Sequence, residues 1–334
     1  MRQITIEGKD AGQRFDKFLA KYLSLAPKSF LYKMLRKKNI VLNEKKAEGK
    51  EILCLGDKIS LYLSEETITK FQSQLEIEEV VCDFSVLYED DNVLIVNKPI
   101  GVLSQKAKKE DISLVEMISF YLYKTKALTK DDLTVFSPSV CNRLDRNTSG
   151  IVVAGKSLAG LQKMTELFRT RTIQKYYLCI VKGELTSIKK EVGFLYKDES
   201  KNQVKVLSKE SYELLSKIEQ EDYCSIQTKY RPLCCHKGVT LLEIQLLTGK
   251  PHQIRAHLAF LGYPIAGDQK YGNLQWNEQL KREYGVSSQM LHAYRLVFPE
   301  LSQKFKGLSK REIYCKPPQL FEKIQRGLSL NMKN

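Results

Sequence analysis

The sequence predicts an α+β protein with a small basic domain followed by a larger domain. Its 334 residues are enough for about two hydrophobic cores. Between Gly12 and Leu63, 12 Lys and Arg residues stand against 5 Asp and Glu residues, which sets this segment apart. Later strand and helix patterns lack the regular alternation of a parallel sheet, so we expect a mostly antiparallel central sheet. The expected boundaries are a first domain at residues 12–63, a linker at 64–83 and a second domain at 84–325.

The composition indicates a nucleic-acid partner. The formal net charge is +15 and the pI is about 9.3, so the surface attracts polyanions, and nucleic acid is favoured over an acidic membrane. No uninterrupted apolar run reaches the roughly 18 residues that a transmembrane helix needs, and the first residues lack the apolar core of a signal peptide. We therefore expect a soluble, cytoplasmic protein. We also expect it to be a monomer.

The cysteines and histidines do not predict a metal site. The 8 cysteines include no C-x-x-C pair, and Cys234-Cys235-His236 does not have the spacing of tetrahedral zinc ligands. His252 and His257 are five residues apart and so miss the H-E-x-x-H pattern. A glycine-rich phosphate loop is also missing from the sequence. We therefore expect neither a metal nor a nucleotide cofactor.

The small domain is predicted to contain two short helices and a few strands. Two apolar stripes at helical spacing consist of Phe15, Phe18, Leu19, Tyr22 and Leu23, and of Phe30, Leu31, Met34 and Leu35. The second helix ends in Arg36-Lys37-Lys38, where cations suit the negative end of the helix dipole. Strands are expected at Ile40–Leu42, with a turn at Asn43, and at Lys58–Leu63. This basic face predicts docking on folded RNA through phosphates, the alternative being a generic basic surface.

This segment resembles the small RNA-binding domain named after ribosomal protein S-four. The matching stretches are Arg14-Phe15-Asp16, Lys28 to Lys38, Val41-Leu42-Asn43 and Gly56-Asp57-Lys58-Ile59. The resemblance implies that RNA is contacted by Arg14, Lys28, Arg36, Lys37 and Lys38. Such domains accompany enzymes and ribosomal proteins alike, so the resemblance does not by itself give an activity.

The large domain is expected to contain a catalytic loop at Asn142 to Gly150. Asp145 lies between Arg143 and Arg146 in the sequence, at a turn entering the apolar strand Ile151–Ala154. Two neighbouring cations favour the ionised carboxylate, which can attack an electrophile or accept a proton. The alternative is a structural ion pair within a loop. For an isolated Arg-x-Asp-Arg string, this alternative is the better interpretation.

Three further stretches bear on the chemistry. In Lys175-Tyr176-Tyr177, one ring can project into a cleft and stack on an unpaired base, although spacing alone favours tyrosines packed in a strand. Thr248 to Arg255 leads from a strand into a helix, so that Arg255 near the helix start can hold an anion, either a phosphate or Asp145. Gly267 to Gly272 reads as a turn in which the glycines serve backbone geometry.

Taken in order, these stretches make the second domain resemble the RluA-type RNA pseudouridine synthases, the large-subunit ribosomal RNA type. The matching motifs are Asn97-Lys98-Pro99-x-Gly101, Arg143-Leu144-Asp145 with Thr148-Ser149-Gly150, Lys175-x-Tyr177, Thr248 to His257, Gly267-Asp268 with Tyr271-Gly272, and Leu291-His292-Ala293. A single match is weak evidence, but the six together in the order of the family are very specific. The resemblance implies a pseudouridine synthase catalytic domain with a mostly antiparallel sheet.

The resemblance also implies roles for individual residues. Asp145 is the essential carboxylate, Tyr177 stacks on the target uracil, Arg255 pairs with Asp145, and Arg143 enters the RNA stack as the uridine leaves it. Lys250 is expected to contact RNA as well. The sequence departs from the family pattern in three places: Asn142 replaces the usual histidine, Asn147 replaces a common acidic residue, and Lys250-Pro251 replaces Arg-Thr. Lys250 presents a point charge and cannot bind a phosphate through two parallel hydrogen bonds as arginine does.

Conversion of uridine to pseudouridine breaks the N1–C1′ bond and joins C5 to C1′, so the nucleotide must leave its stack. Glycoside hydrolysis commonly uses two carboxylates because it activates water, whereas this isomerisation needs no water and can run on one. Asp145 can attack C1′, add to the uracil ring or remove the C2′ proton, and the sequence does not choose among these steps.

The predicted substrate is 23S ribosomal RNA, with transfer RNA as the alternative. A non-enzymatic RNA-binding or ribosome-assembly protein is a second hypothesis, disfavoured by the intact Asp145, Tyr177 and Arg255. A hydrolase using Ser149 or Cys141 is a third, and no base partner at a motif spacing supports it.

Overall fold

The structure is a computed structural model that describes residues 1–8, 10–72, 77–198, 200 and 203–330. The strands are β1 (Arg2–Thr5), β2 (Ile40–Leu42), β3 (Lys45–Lys46), β4 (Lys58–Leu61), β5 (Ser85–Glu89), β6 (Val93–Lys98), β7 (Ser139–Val140), β8 (Ser149–Gly155), β9 (Gln174–Lys182), β10 (Lys189–Asp198), β11 (Gln203–Leu207), β12 (Tyr223–His236), β13 (Val239–Leu246), β14 (Leu291–Val297) and β15 (Glu312–Tyr314). The α-helices are α1 (Phe15–Tyr22), α2 (Lys28–Arg36), α3 (Glu65–Phe71), α4 (Leu114–Lys124), α5 (Lys130–Val135), α6 (Leu158–Arg169), α7 (Lys209–Glu213), α8 (Lys217–Glu221), α9 (Gln253–Phe260), α10 (Leu274–Tyr284) and α11 (Gln319–Gly327). A 3-10 helix lies at Gln303–Leu308.

The N-terminal region is built on a small antiparallel sheet with the strand order β1-β4-β2-β3. The apolar stripes of α1 and α2 pack on this sheet, and their buried members include Phe15, Phe18 and Leu35. Val135 of α5 joins the same apolar cluster, so the region packs against the larger part of the protein.

The compact N-terminal region is longer than the predicted 12–63 segment. Strand β1 precedes it and pairs with β4. Helix α3 follows it, within the stretch predicted as a linker. This helix belongs to the N-terminal region, because Ile68 is buried in the N-terminal cluster and the centroid of the Phe71 ring lies 4.6 Å from that of Phe30. Residues 73–76 of the predicted linker lie outside the described residues.

The second sheet forms the centre of the larger region. Its main path has the strand order β11-β10-β12-β13-β9-β14-β8-β6-β5, with β15 added to β14 and β7 added to β8. Of the strand pairs in the described chain, only β8 and β14 run parallel. The prediction of an α+β fold with a mostly antiparallel sheet is therefore confirmed. At the C-terminus, Leu330 is fully buried, so the packed region extends beyond the predicted end at 325.

One row of residues crosses the middle of this sheet and positions the site. The register aligns Lys98 on β6 with Gly150 on β8, then Ala293 on β14, Tyr177 on β9 and Ile244 on β13. Because residues opposite each other in adjacent strands project to the same face, Tyr177 and Lys98 share one face of the sheet. The loop that carries Asp145 enters β8 between them.

Within the described ranges, no helix is long and apolar enough to span a membrane. The same part of the chain contains no group of three or more His, Cys, Asp or Glu side chains placed to hold a metal ion.

Candidate active site

The loop that carries Asp145 is fixed by side-chain and backbone hydrogen bonds on both sides of the carboxylate. The Ser104 hydroxyl donates to the Leu144 carbonyl at 2.9 Å and accepts from the Leu144 N–H at 3.0 Å. After the carboxylate, the Thr148 N–H donates to the Asp145 carbonyl at 3.0 Å. The backbone of residue 145 is therefore held from both directions, which preorganises its side chain.

Lys98 anchors the same loop from beneath. Its side chain is fully buried, and Nζ donates to the carbonyls of Pro99, Val102 and Arg146 at 2.9, 2.8 and 3.1 Å. Burial lowers the pKa of Lys98 to about 7, and the charge of Asp145 opposes this shift. The bond to Arg146 ties the loop after Asp145 to strand β6, so Lys98 supports the site although it was only noted as a motif residue.

Gly150 is required where β8 meets β14. Its φ is +119°, and a Cβ built there would lie 2.2 Å from the Ala293 carbonyl oxygen. Any side chain would therefore force the two parallel strands apart. This close approach brings the end of the Asp145 loop next to the row that contains Tyr177.

The Asp145 carboxylate is paired with Arg255 of helix α9. The distance from Arg255 Nη1 to Asp145 Oδ2 is 2.8 Å. The remaining guanidinium edge binds Asp268 in bidentate fashion, with Nε to Oδ2 at 2.7 Å and Nη2 to Oδ1 at 2.9 Å. Arg255 thus bridges two carboxylates, one of which, Asp145, keeps 27% of its side chain exposed. An accessible carboxylate beside a buried arginine is available to a substrate.

Asp268 is a second carboxylate at the site, in addition to the one that the sequence predicted for the chemistry. Its side chain is fully buried and also accepts the N–H groups of Lys270 and Tyr271 at 2.9 and 3.0 Å. Burial alone would raise the pKa of Asp268, but the bonds from Arg255 and the backbone hold it below its ordinary value. Burial lowers the pKa of Arg255, but the hydrogen bonds and charges of Asp268 and Asp145 outweigh burial and raise it above its ordinary value. With its oxygens so engaged, Asp268 cannot activate water and instead orients Arg255.

The expected setting of Asp145 between two neighbouring guanidinium groups is wrong. Arg143 is exposed and forms no ion pair within the described residues, while Arg146 Nε donates to the Gly101 carbonyl at 3.0 Å. The cation that contacts Asp145 comes instead from 110 residues further along the chain. The exposed position of Arg143 leaves its guanidinium accessible, and its contact with RNA stays a prediction.

Tyr177 lies on β9, facing the Asp145 loop. It is 7% exposed, and its pKa is raised by burial and by the nearby negative charge of Asp145. Tyr176, its neighbour, projects to the opposite face, where its ring lies 3.9 Å from the Arg295 guanidinium carbon. The two tyrosines, which spacing alone could not separate, therefore have different surroundings, and Tyr177 is the one beside the carboxylate.

The motif residues at 142 and 250 occupy contrasting positions. Asn142, in place of the usual histidine, donates to the Ile151 carbonyl at 3.2 Å and accepts from the Val153 N–H at 2.8 Å. It therefore stabilises the start of β8 through the backbone. Lys250 is exposed, and its backbone N–H donates to Gln253 Oε1 at 3.1 Å, which orders the turn and leaves the ammonium group in solvent.

The predicted RNA-binding cations of the first domain are on the surface. Lys28, Arg36, Lys37 and Lys38 are exposed and form no ion pair within the ranges that the structure covers. Arg14 differs, because its guanidinium binds the Asp16 carboxylate at 3.0 and 2.7 Å. The cations at the end of α2 are therefore more available to an anion than Arg14 is, and their contact with RNA stays a prediction.

His252 was missed as a site residue. It precedes α9, and its Nδ1 lies 2.9 Å from the Tyr271 hydroxyl. The charges acting on its ring are those of Asp145, Arg255, Lys270 and Asp268, which places it at the site. The sequence feature that could have identified His252 is its position three residues before Arg255, which pairs with Asp145.

A separate cavity of about 250 Å³ is lined by Glu78, Lys106 and Glu116 among others. None of the site residues described above lines it.

Similarity to known proteins extends over most of the chain. Residues 92–260 match the RNA pseudouridylate synthase family. "Ribosomal large subunit pseudouridine synthase C" of Escherichia coli K12 is 29% identical over 301 residues, which cover 88% of each chain. An uncharacterized RNA pseudouridine synthase of Mycoplasma genitalium is 29% identical over 303 residues, which cover 90% of each chain.

The solved structure of human RNA Pseudouridylate Synthase Domain Containing 4 has the same fold. It superposes with a TM-score of 0.58 at 22% identity over 75% of this chain and 95% of that chain. The family match spans half of the sequence and includes Asp145, Tyr177 and Arg255. This chain belongs to the RNA pseudouridylate synthase family.

Proposed function

We propose that this RNA pseudouridine synthase isomerises uridine in large-subunit ribosomal RNA, 23S in bacteria, with Asp145 as the catalytic residue. The observation that carries the proposal is the accessible Asp145 carboxylate held at 2.8 Å by the buried Arg255. The name of the Escherichia coli relative supports the choice of RNA, since that protein acts on the large ribosomal subunit. The basic N-terminal face supports a large folded RNA as well. Cytoplasmic location and a monomeric state stay predictions from sequence.

The chemistry follows from the arrangement of the three residues. A uridine that leaves its stack can place its base against the Tyr177 ring and its sugar beside Asp145. The carboxylate then acts on C1′, on the uracil ring or on the C2′ proton while Arg255 fixes its orientation. Because no water is consumed, the buried second carboxylate at Asp268 has no hydrolytic part to play.

The activity test uses release of tritium from RNA that carries 5-tritiated uridine. Bond formation between C5 and C1′ expels the C5 hydrogen, so each turnover releases one tritium to solvent. We expect release from transcripts of large-subunit ribosomal RNA and little from transfer RNA. Tritium release from transfer RNA alone would show that transfer RNA, not ribosomal RNA, is the substrate. Release from neither RNA would reject the proposed activity.

Replacing Tyr177 tests the stacking of its ring on the uracil separately from the contribution of the side chain to the folded core. Tyr177→Leu keeps an apolar side chain in the core but removes the ring, and stacking is worth about 1–3 kcal/mol per base. We therefore expect kcat/KM to fall by roughly ten- to a hundredfold. Tyr176→Leu is the matched control, because Tyr176 lies on the same strand but faces Arg295. Equal losses in both variants would show that the ring at 177 does not contact the substrate.

The exposed cations at the end of α2 are expected to contribute to RNA affinity through charge. The triple change Arg36→Gln, Lys37→Gln and Lys38→Gln should weaken binding and reduce the slope of log affinity against log salt by roughly 2, since each phosphate contact contributes about 0.7–0.9. Single-turnover rates at saturating enzyme should stay unchanged.

The control for this triple variant removes the same charge from Lys304, Lys306 and Lys323, which are exposed near the C-terminus. Titrations at several salt concentrations compare the two. An unchanged salt slope in the α2 variant would remove this surface from the RNA interface.

A further inference from the structure

His252 has a backbone conformation that a residue with a side chain adopts only at a cost. Its φ is +53° and its ψ is 12°, in the left-handed region, immediately before α9 begins. Such a conformation costs about 1–2 kcal/mol in a residue other than glycine. Strained residues of this kind occur often at functional sites, where the surrounding structure holds them in place. The chain here has a histidine, rather than a glycine, three residues before Arg255, and its ring lies against that of Tyr271 with the centroids 5.7 Å apart.

The hydrogen bonds of the ring determine where its proton lies. The Tyr271 hydroxyl oxygen accepts the N–H of Val204 on β11 at 3.0 Å, and the same hydroxyl is 2.9 Å from His252 Nδ1. Since the oxygen already accepts from Val204, the arrangement that uses the hydroxyl proton within this pair has the hydroxyl donating to Nδ1. A neutral imidazole that accepts at Nδ1 carries its proton on Nε2. Tyr271 thus fixes one tautomer.

Burial favours the neutral form of the His252 ring. Burial lowers the pKa of His252; the carboxylates Asp145 and Asp268 oppose this shift, while Arg255 and Lys270 add to it. Nε2 has no hydrogen-bond partner among the residues that the structure describes, and the ring is only partly buried. A donor with no protein acceptor therefore stands beside the catalytic carboxylate.

We propose that His252 contacts the target nucleotide directly, its Nε2–H donating a hydrogen bond to an oxygen acceptor of the flipped-out uridine, with Tyr271 as the positioning residue. The inference rests on the proposed function, because it requires the nucleotide to enter the Asp145 site. The acceptor is a uracil carbonyl or an adjoining phosphate oxygen, and these present the same chemistry to an N–H donor.

Two substitutions distinguish this contact from a structural role. His252→Asn places an amide near the position of Nδ1, so it can keep the bond to Tyr271, and asparagine tolerates a positive φ. It lacks a donor at the position of Nε2. His252→Gln carries an amide N–H that reaches this position. We expect His252→Asn to lower kcat/KM by about tenfold, as for the loss of one substrate hydrogen bond, and His252→Gln to lose less than about threefold.

The substrates identify the acceptor. Wild-type protein and both variants are tested on RNA with an unmodified target, with 2-thio- or 4-thiouridine at the target, and with a methylphosphonate at the target phosphate. Product nucleosides are quantified by chromatography after nuclease digestion. One of these modifications should lower the kcat/KM of the wild type by about tenfold. It should not lower the kcat/KM of His252→Asn further, because that variant has already lost the contact. A thiouridine result assigns a carbonyl, and a methylphosphonate result assigns the phosphate.

Tyr271→Phe supplies a second readout. It should lower kcat/KM severalfold in the wild-type background and have no effect in the His252→Asn background, whereas a merely structural role would persist in both. His236→Asn, at the exposed end of β12, is the control and should match the wild type. Activity of His252→Asn within twofold of wild type would overturn the inference, as would additive losses on every modified RNA. A wild-type protein inactive on all RNAs would overturn the proposed function and the inference together.

Discussion

Asp145→Asn is expected to lower turnover by about 10⁴-fold or more, a loss typical of removing the essential group of a catalytic site. Asparagine has nearly the same shape, and its carbonyl oxygen can still accept from Arg255 Nη1. It cannot act as an anionic nucleophile or base. The fold and the RNA affinity should therefore stay close to those of the wild type while tritium release stops.

The control for this variant is Asp91→Asn, an identical change at an exposed turn between β5 and β6. It should release tritium at the wild-type rate. Binding of both variants to RNA is compared by filter retention. If Asp145→Asn retained more than a few per cent of wild-type turnover, another residue would have to be the catalytic group.

Asp268→Asn is expected to destabilise the protein by about 1–3 kcal/mol, because the buried Arg255 guanidinium loses one of its two carboxylate partners and keeps only the pair with Asp145. The amide of asparagine would face the Arg255 guanidinium with one acceptor instead of two. Arg255 would also lose the bidentate contact that orients it toward Asp145. Turnover should therefore fall by roughly a hundredfold even at temperatures where the variant is folded.

Urea denaturation followed by circular dichroism measures the first effect of Asp268→Asn, and single-turnover tritium release on the folded variant measures the second. Glu300→Gln is the comparison, since Glu300 forms an exposed ion pair with Lys310 at 3.0 Å. Exposed pairs contribute about 0–1 kcal/mol, so this variant should be near neutral. Comparable stabilities of the two variants would contradict the role given to the buried pair.

Local patterns predicted the helices and strands that bury at least one face. The apolar stripe beginning at Phe15 became α1, and Ile151 to Ala154 lie within β8, because amphipathic and buried segments carry their periodicity in the sequence. The long antiparallel pair of β10 and β12 was not predicted. Both strands have exposed residues on much of their length, so a regular alternation of apolar and polar residues is weak there.

The site was predicted unevenly for a related reason. The pairing of Asp145 with Arg255 followed from the family resemblance, since neither residue's local spacing shows a contact made across the fold. Local sequence misled at Arg143 and Arg146, because neighbours along an extended loop point in different directions. Asp268 and His252 were overlooked in the same way. Their importance depends on tertiary contacts with Arg255 and Tyr271 that no local pattern displays.

The most direct test of the central claim is carbodiimide mapping of pseudouridines in large-subunit ribosomal RNA from cells that lack this protein. The cells are complemented with the wild-type protein or with Asp145→Asn at equal abundance. We predict that specific pseudouridines vanish on deletion, return with the wild type and stay absent with Asp145→Asn. Return of the same pseudouridines with Asp145→Asn would contradict the assignment of the chemistry to this carboxylate.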